Sequence, residues 1–170
     1  GLMGPGVDPH AYRQTRTDIL ALARADLVLW HGLYLEAQME GFFRDFGQDR
    51  FVLAAAEAVP RDLLIPHDDY ENKFDPHVWM APERWVYVVR AIRDAMINRE
   101  PEFTAAFTAN AEKHLTDIAT LSTYAKQALA TVPENQRVLV TAHDAFNYFG
   151  DAYSFEVVGI QGISTESEAG

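Results

Sequence analysis

The chain contains no cysteine. This excludes a disulfide scaffold and a Cys-based zinc site, and leaves the compartment open. No apolar run reaches the roughly 18 residues that a transmembrane helix needs, so no membrane-spanning helix is expected. The opening Gly1-Leu2-Met3-Gly4-Pro5-Gly6 has neither a basic n-region nor a long apolar h-region, so no signal peptide is expected here. Basic residues are scarce, 14 Lys and Arg against 25 Asp and Glu, for a formal net charge of −11. Nucleic acid as a partner is thereby disfavoured, because phosphates require a Lys/Arg surface. The acidity fits a soluble protein that handles cations. Apolar residues make up 48% of the 170 positions, enough to bury the core of one ordinary domain or of two small lobes.

Residues 1–10 form a Gly/Pro-rich loop. Thr15-Arg16-Thr17-Asp18 offers capping side chains before an apolar pattern at Ile19, Leu22 and Ala23. Asp26-Leu27-Val28-Leu29-Trp30 reads as a short buried strand closed by a turn at Gly32. A helix over about Leu35 to Phe46 and a strand at Phe51-Val52-Leu53 follow, an alternation that suggests an α/β sheet. Composition then turns polar and irregular from Pro60 to His77. Pro82 sits where a helix begins, with Glu83 in its first turn and Trp85, Val88, Val89, Ile92 and Met96 as its apolar stripe. Between Pro101 and Pro133 neither Gly nor Pro occurs. Phe103, Phe107, Ala111, Leu115, Ile118, Leu121, Ala125 and Leu129 recur there at helical steps, predicting one helix of about 45 Å. Such a helix is either a long surface helix or a rigid strut between two lobes. Val138-Leu139-Val140 and Phe155-Glu156-Val157-Val158 read as strands, with His143 just past the end of the first. Ser164-Thr165-Glu166-Ser167-Glu168 has the pattern of a helix start. No internal repeat or low-complexity tract is evident.

Of the six histidines, two share a context. His10 closes Asp8-Pro9-His10 and His77 closes Asp75-Pro76-His77. Proline fixes its own φ and biases the preceding residue toward extended backbone, so each triplet holds its histidine on a stiff loop. Ligands already in place raise the affinity of a site. His143 lies at the carboxyl end of a strand, where open α/β sheets bind ligands. The three are far apart in the chain and can converge only in a folded crevice. Neutral imidazole suits zinc, and manganese when carboxylates accompany it. By spacing alone, each remains either a ligand or an ordinary surface or hydrogen-bonded histidine. His31, His67 and His114 read as the latter: His67, in His67-Asp68-Asp69, as at most a weak surface metal contact, and His114 as solvated on the long helix.

The stretch Gly4-Pro5-Gly6-Val7-Asp8-Pro9-His10-Ala11-Tyr12 resembles the first metal-ligand loop of the metal-binding lipoproteins of manganese, zinc and iron ABC importers. Ala25-Asp26-Leu27-Val28, with Gly32-Leu33 and Leu35-Glu36, resembles their next strand and turn. Asp75-Pro76-His77-Val78-Trp79-Met80 resembles their second ligand motif. The third is resembled by Arg137-Val138-Leu139-Val140-Thr141-Ala142-His143-Asp144-Ala145-Phe146, with Tyr148-Phe149 and Gly159-Ile160-Gln161-Gly162-Ile163-Ser164-Thr165. The match runs in order along nearly the whole chain.

This resemblance implies an α/β, two-lobed helical-backbone metal receptor fold whose lobes are joined by one long rigid helix. Residues 1–100 would form the N-terminal lobe, incomplete at its start. Residues 101–132 would be the linking helix, and 133–170 the start of an incomplete C-terminal lobe. His10 and His77 would ligate metal from the first lobe and His143 from the second, where some members carry Glu. The family's fourth ligand is an Asp that would lie beyond Gly170. Asp144, although adjacent to His143, is not that ligand. The stretch from Leu63 to Asp75 holds only His67, Asp68, Asp69 and Glu71, in place of the long His-rich insertion of zinc-specialised relatives. That favours manganese or a manganese/zinc range.

The implied function is extracytoplasmic capture of Mn2+ or Zn2+, with Fe2+ also admitted, for delivery to the membrane permease of an ABC importer. A monomer is expected, either periplasmic or a cell-surface lipoprotein, with no enzymatic activity. The competing expectations are a three-His zinc-dependent hydrolase, with Glu36, Asp144 or Glu166 as general base, and a metal-stabilised surface adhesin.

Overall fold

The computed structural model describes residues 1–67 and 70–163. Asp68, Asp69 and the helix start proposed at Ser164 to Glu168, including Glu166, therefore lie outside the described residues. The first helix, α1 (Arg16–Arg24), begins as its sequence predicts: the Thr15 hydroxyl accepts the Asp18 N–H, and the Asp18 carboxylate accepts the Thr15 N–H at 2.7 Å. Tyr12 adds its hydroxyl to the same carboxylate at 2.6 Å. These bonds, with Tyr12 foremost, hold the Asp18 carboxyl below the usual carboxylate range. The expected apolar face of α1 is only partly used, since Leu22 is buried whereas Ile19 and Ala23 are exposed.

Strand β1 (Val28–Trp30) pairs in parallel with β2 (Val52–Ala54), in the register Val28 to Val52. Between them the helix is shorter than predicted. A 3-10 turn at Ala37–Met39 leads into α2 (Glu40–Phe46), and the chain does not enter a helix at Leu35. The reason is local. Gly32, Leu33 and Tyr34 all have positive φ, and the Glu36 carboxylate reaches back to backbone N–H groups instead of continuing a helix. At Gly32 (φ +83°) a Cβ would come within 3.0 Å of the Ala54 side chain, so a larger residue has no room there. Leu22, Val28, Trp30, Met39 and Phe43 form one small core, with the Trp30 and Phe43 rings stacked at 4.8 Å.

The described residues of the stretch 60–77 are irregular, as predicted, apart from short 3-10 turns and a bridge between Pro66 and Phe74. Helix α3 (Pro82–Arg99) starts with Pro82 in its first turn. A 3-10 turn over Pro101–Phe103 then precedes α4 (Thr104–Leu129). This helix is continuous for 26 residues, about 39 Å at 1.5 Å per residue, a little shorter than its sequence suggests. It packs along α3 through the buried Ala111 and Ile118, and Glu83 of α3 takes bonds from Ser122 at 2.8 Å and Lys126 at 2.5 Å. Most of its predicted apolar stripe is not buried; Leu121 is 56% exposed and Phe103 53%.

Beyond α4, strand β3 (Val138–His143) pairs in parallel with β4 (Glu156–Gln161), and α5 (Asn147–Tyr153) connects them. His143 is thus the last residue of its strand, and not just past the end. Burial alternates along both strands, so the period of two puts Leu139, Thr141 and His143 on the more buried face. On the other face Val138, Val140, Val158 and Ile160 are exposed. Gly159 permits this close packing, since a Cβ there would meet the Asp144 Cβ at 2.4 Å. The described strands therefore form two separate parallel pairs, not one continuous sheet. Helix α5 joins the halves by sending the fully buried Tyr148 into the core of Leu33, Ala55, Ala56, Val59, Val78, Ala81 and Val88.

Candidate metal centre

The two Asp-Pro-His triplets fold alike. In each, the aspartate carboxylate accepts the histidine N–H two residues on, at 2.9 Å in both Asp8/His10 and Asp75/His77. This side-chain turn is what aspartate supplies at such a position, and proline stiffens the link between the bonded residues. Each histidine thereby leaves its loop at a set angle and is buried, His10 at 4% exposure and His77 at 2%. His143 arrives from the far half of the chain on the inward face of β3.

These three rings converge. Their centroids lie 5.0 to 5.4 Å apart, and one ring nitrogen of each falls within 4.8 Å of the others. Among the described residues this is the group of His, Asp and Glu side chains with metal-binding spacing. The surrounding bonds define the tautomers. Nδ1 of His77 lies 2.7 Å from the Asp75 carboxylate, and Nδ1 of His143 lies 2.9 Å from the Gly162 carbonyl. Both partners only accept, so each Nδ1 carries a proton, and the neutral form of each ring is the tautomer with a bare Nε2. Those two Nε2 atoms face each other at 3.2 Å. Two lone pairs at that separation repel unless a proton or a cation lies between them. A tetrahedral zinc about 2.0–2.1 Å from each would set its ligand nitrogens about 3.3–3.4 Å apart. Burial first, and then the neighbouring His77, push the His10 imidazole down to about 4, so it is an uncharged base at neutral pH.

Asp75 is completely buried beneath this cluster. Besides the two bonds from His77, its other carboxylate oxygen accepts Asn147 Nδ2–H at 3.1 Å, and its carbonyl accepts the Tyr148 hydroxyl at 2.8 Å. Tyr148 in turn accepts the Ile65 N–H. Burial raises the Tyr148 hydroxyl well above its ordinary value, which keeps it a donor.

The other histidines stay apart from the cluster. His31 is not merely a surface residue. Its Nε2–H donates to the Pro76 carbonyl at 2.6 Å, with its ring against Trp79 and Trp85. Enclosure there pushes it down to about 4. It buttresses the loop that carries His77, a role for which no local sequence pattern gives a signal. His67 reads as a surface residue in sequence but is buried: its ring centroid is 4.8 Å from that of Tyr70 and its N–H pairs with the Lys73 carbonyl. His114 is exposed on α4.

The general bases imagined for a hydrolase fare differently. Both Glu36 oxygens are engaged, with the N–H of His31 at 2.8 Å and of Gly32 at 3.1 Å, and the carboxyl is buried. Burial raises its pKa against the pull of those N–H bonds. Asp144 does not belong to the three-histidine group. What remains is a nitrogen-rich, largely buried triad that can hold a divalent cation and leave a coordination position open.

The whole chain, residues 1–170, matches the sequence profile of the ZnuA family, described as zinc-uptake complex component A, periplasmic. The manganese-binding lipoprotein MntA of Bacillus subtilis (strain 168) is 44% identical over 169 residues, covering 99% of this chain and 55% of that protein. The chain spans about half the length of the curated relatives it matches. Among solved structures, the periplasmic zinc-binding protein TroA from Treponema pallidum superposes with a TM-score of 0.93 at 42% identity, over 100% of this chain and 61% of that one. Fe(III)-bound YtgA from Chlamydia trachomatis gives a TM-score of 0.88 at 25% identity, over 99% of this chain and 63% of that one. The α/β fold is that of the two-lobed metal-binding proteins, and the chain belongs to the ZnuA family of metal-binding substrate-binding proteins.

Proposed function

We propose that this chain is part of an extracytoplasmic solute-binding protein that captures a divalent transition metal and delivers it to the membrane permease of an ABC importer. His10, His77 and His143 are its ligands from this chain. The single observation that carries this is the convergence of the three rings, with one nitrogen of each within 4.8 Å of the others and Nε2 of His77 and of His143 3.2 Å apart. A cation placed there is held by lone pairs already aimed at it, so little ordering remains to be done on binding.

Residues 1–100 form the first lobe, 101–132 the linking helix and 133–170 the start of the second lobe. The exposed apolar face of β3 and β4 suits a lobe with further chain packed on it, because parallel sheets are covered on both faces. A downstream Asp beyond Gly170 supplies the fourth ligand. The cargo is manganese, zinc or both, with Fe2+ also accommodated. The protein acts as a monomer, in the periplasm or tethered as a lipoprotein, and performs no chemistry on the ion. No described helix is long and apolar enough to cross a membrane.

Calorimetric titration of the complete protein tests the ligand set. His10→Ala, His77→Ala and His143→Ala are each expected to weaken zinc binding by more than the roughly 10–100-fold typical of losing an outer partner. His114→Ala is expected to bind as the parent does. Equal losses at His114 and His77 would refute the assignment, and zinc-dependent esterase activity would favour the hydrolase instead.

A further inference from the structure

Asp75 orients His77, yet the donor that orients Asp75 comes from the other half of the chain. Asn147 opens α5, four residues after His143, and places Nδ2–H on the carboxylate oxygen that His77 does not use. We propose that Asn147 is a positioning residue for the metal centre. Through Asp75 it sets the tautomer and ring angle of His77, and so ties ligand geometry to the seating of α5 against the first half. This rests on His77 being a metal ligand.

The chemistry is that of a carboxylate held at both oxygens. Oδ1 of Asp75 takes the His77 N–H at 2.9 Å and the His77 Nδ1–H at 2.7 Å, while Oδ2 takes the Asn147 amide at 3.1 Å. With both oxygens occupied, the carboxylate plane cannot turn without breaking a bond in a site of 0% exposure. Remove the amide, and Oδ2 is left buried without that donor. The group then turns or draws in water, and either outcome weakens its hold on Nδ1–H. A His77 freed in this way can move its proton to Nε2, the atom that should meet the metal. Because His143 and Asn147 share one short segment, the movement that delivers one ligand also locks the tautomer of another. Other contacts of α5 do not reach the carboxylate. Asp151 pairs with Arg84, and the Tyr148 hydroxyl donates to the Asp75 backbone carbonyl.

The experiment compares Asn147→Ala, Asn147→Ser and Asp151→Asn in the complete protein. Asp151→Asn breaks an ion pair on the same helix and serves as the control for loosening it. Zinc affinity is measured by competition with a chromophoric chelator. The His77 tautomer is read from nitrogen-15 shifts of the metal-free protein at neutral pH. Asn147→Ala is expected to bind zinc about 10–100-fold more weakly and to show mixed His77 tautomers. Asn147→Ser, with a shorter donor, should fall between it and the parent, and provides the comparison if the alanine variant does not fold. Asp151→Asn should keep parental affinity and tautomer. Parental tautomer and affinity in both Asn147 variants would overturn the proposal, as would an equal loss in Asp151→Asn. Failure of the ligand assignment would look different: His77→Ala would bind zinc as the parent does, while the tautomer readout would still decide the role of Asn147.

Discussion

His31 shows how one residue can serve a site it does not enter. Its imidazole is enclosed by two indole rings, bonded to the Pro76 carbonyl and depressed from 6.5 to about 4. The unfolded chain takes up that proton near pH 6.5 and the folded chain only near pH 4. Between those values the unfolded state holds more protons, so stability rises with pH across the window and falls as pH drops through it. Urea denaturation of the metal-free protein is expected to show full stability above about pH 6.5 and a decline toward pH 4. His31→Gln keeps an N–H donor but cannot titrate. It should therefore be less stable at pH 7 because of its poorer fit, yet show a shallower acid decline. An unchanged slope between pH 4 and 6.5 would mean that another group controls the acid limb.

Among the elements, α1 depends most visibly on its cap. It is nine residues long, below the length at which helices persist alone, and it buries little of its apolar face. The reciprocal bonds of Thr15 and Asp18 therefore carry a large share of what holds it. Thr15→Ala is expected to cost about 1 kcal/mol, seen as a lower urea midpoint with unchanged slope. No change in the midpoint would show that packing through Leu22 suffices. The long α4 is the opposite case. It has no internal Gly or Pro and no break over its 26 residues, so it has no built-in hinge.

At the scale of the molecule, ties among the described residues oppose relative movement of the halves, among them the α3/α4 contact through Glu83, the Arg84–Asp151 pair, the Asn147–Asp75 bond, and Tyr148 in the first core. Metal uptake is thus expected to change the radius of gyration only slightly, with rearrangement confined to the loops of residues 8–10 and 75–77. Solution scattering of the complete protein with and without metal checks this, and a large compaction would contradict it. The same donor set predicts metal preference. Three imidazoles favour zinc over manganese, which stands at the weak end of the divalent series. Zinc should displace manganese at equal concentration, and His143→Glu should narrow the gap, because carboxylate suits manganese better. Manganese displacing zinc in competition titration would refute the ligand-softness argument.

The sequence by itself determined what is local. Thr15 and Asp18 announced a capped helix, Pro82 another, and the Gly- and Pro-free stretch after Pro101 a third, because caps and helix breakers act within one turn. The Asp-Pro-His triplets singled out His10 and His77 because proline stiffness needs no distant partner. His143 was legible only through its place at a strand end and its resemblance to a family motif. The turn at Gly32 is legible, but the helix after it starts later than the expected Leu35, since Leu35 and its neighbours have helical propensity and nothing local reveals that Glu36 bonds backward. Only the tertiary structure decided which nitrogen each ring exposes. For His143 the acceptor is the Gly162 carbonyl, 19 residues on, and for His77 it is the local Asp75 carboxylate, whose other oxygen is held by the donor amide of Asn147, 72 residues away. It likewise decided that His31 and His67 are enclosed. Burial depends on what packs around a residue, and no local pattern in the chain encodes that.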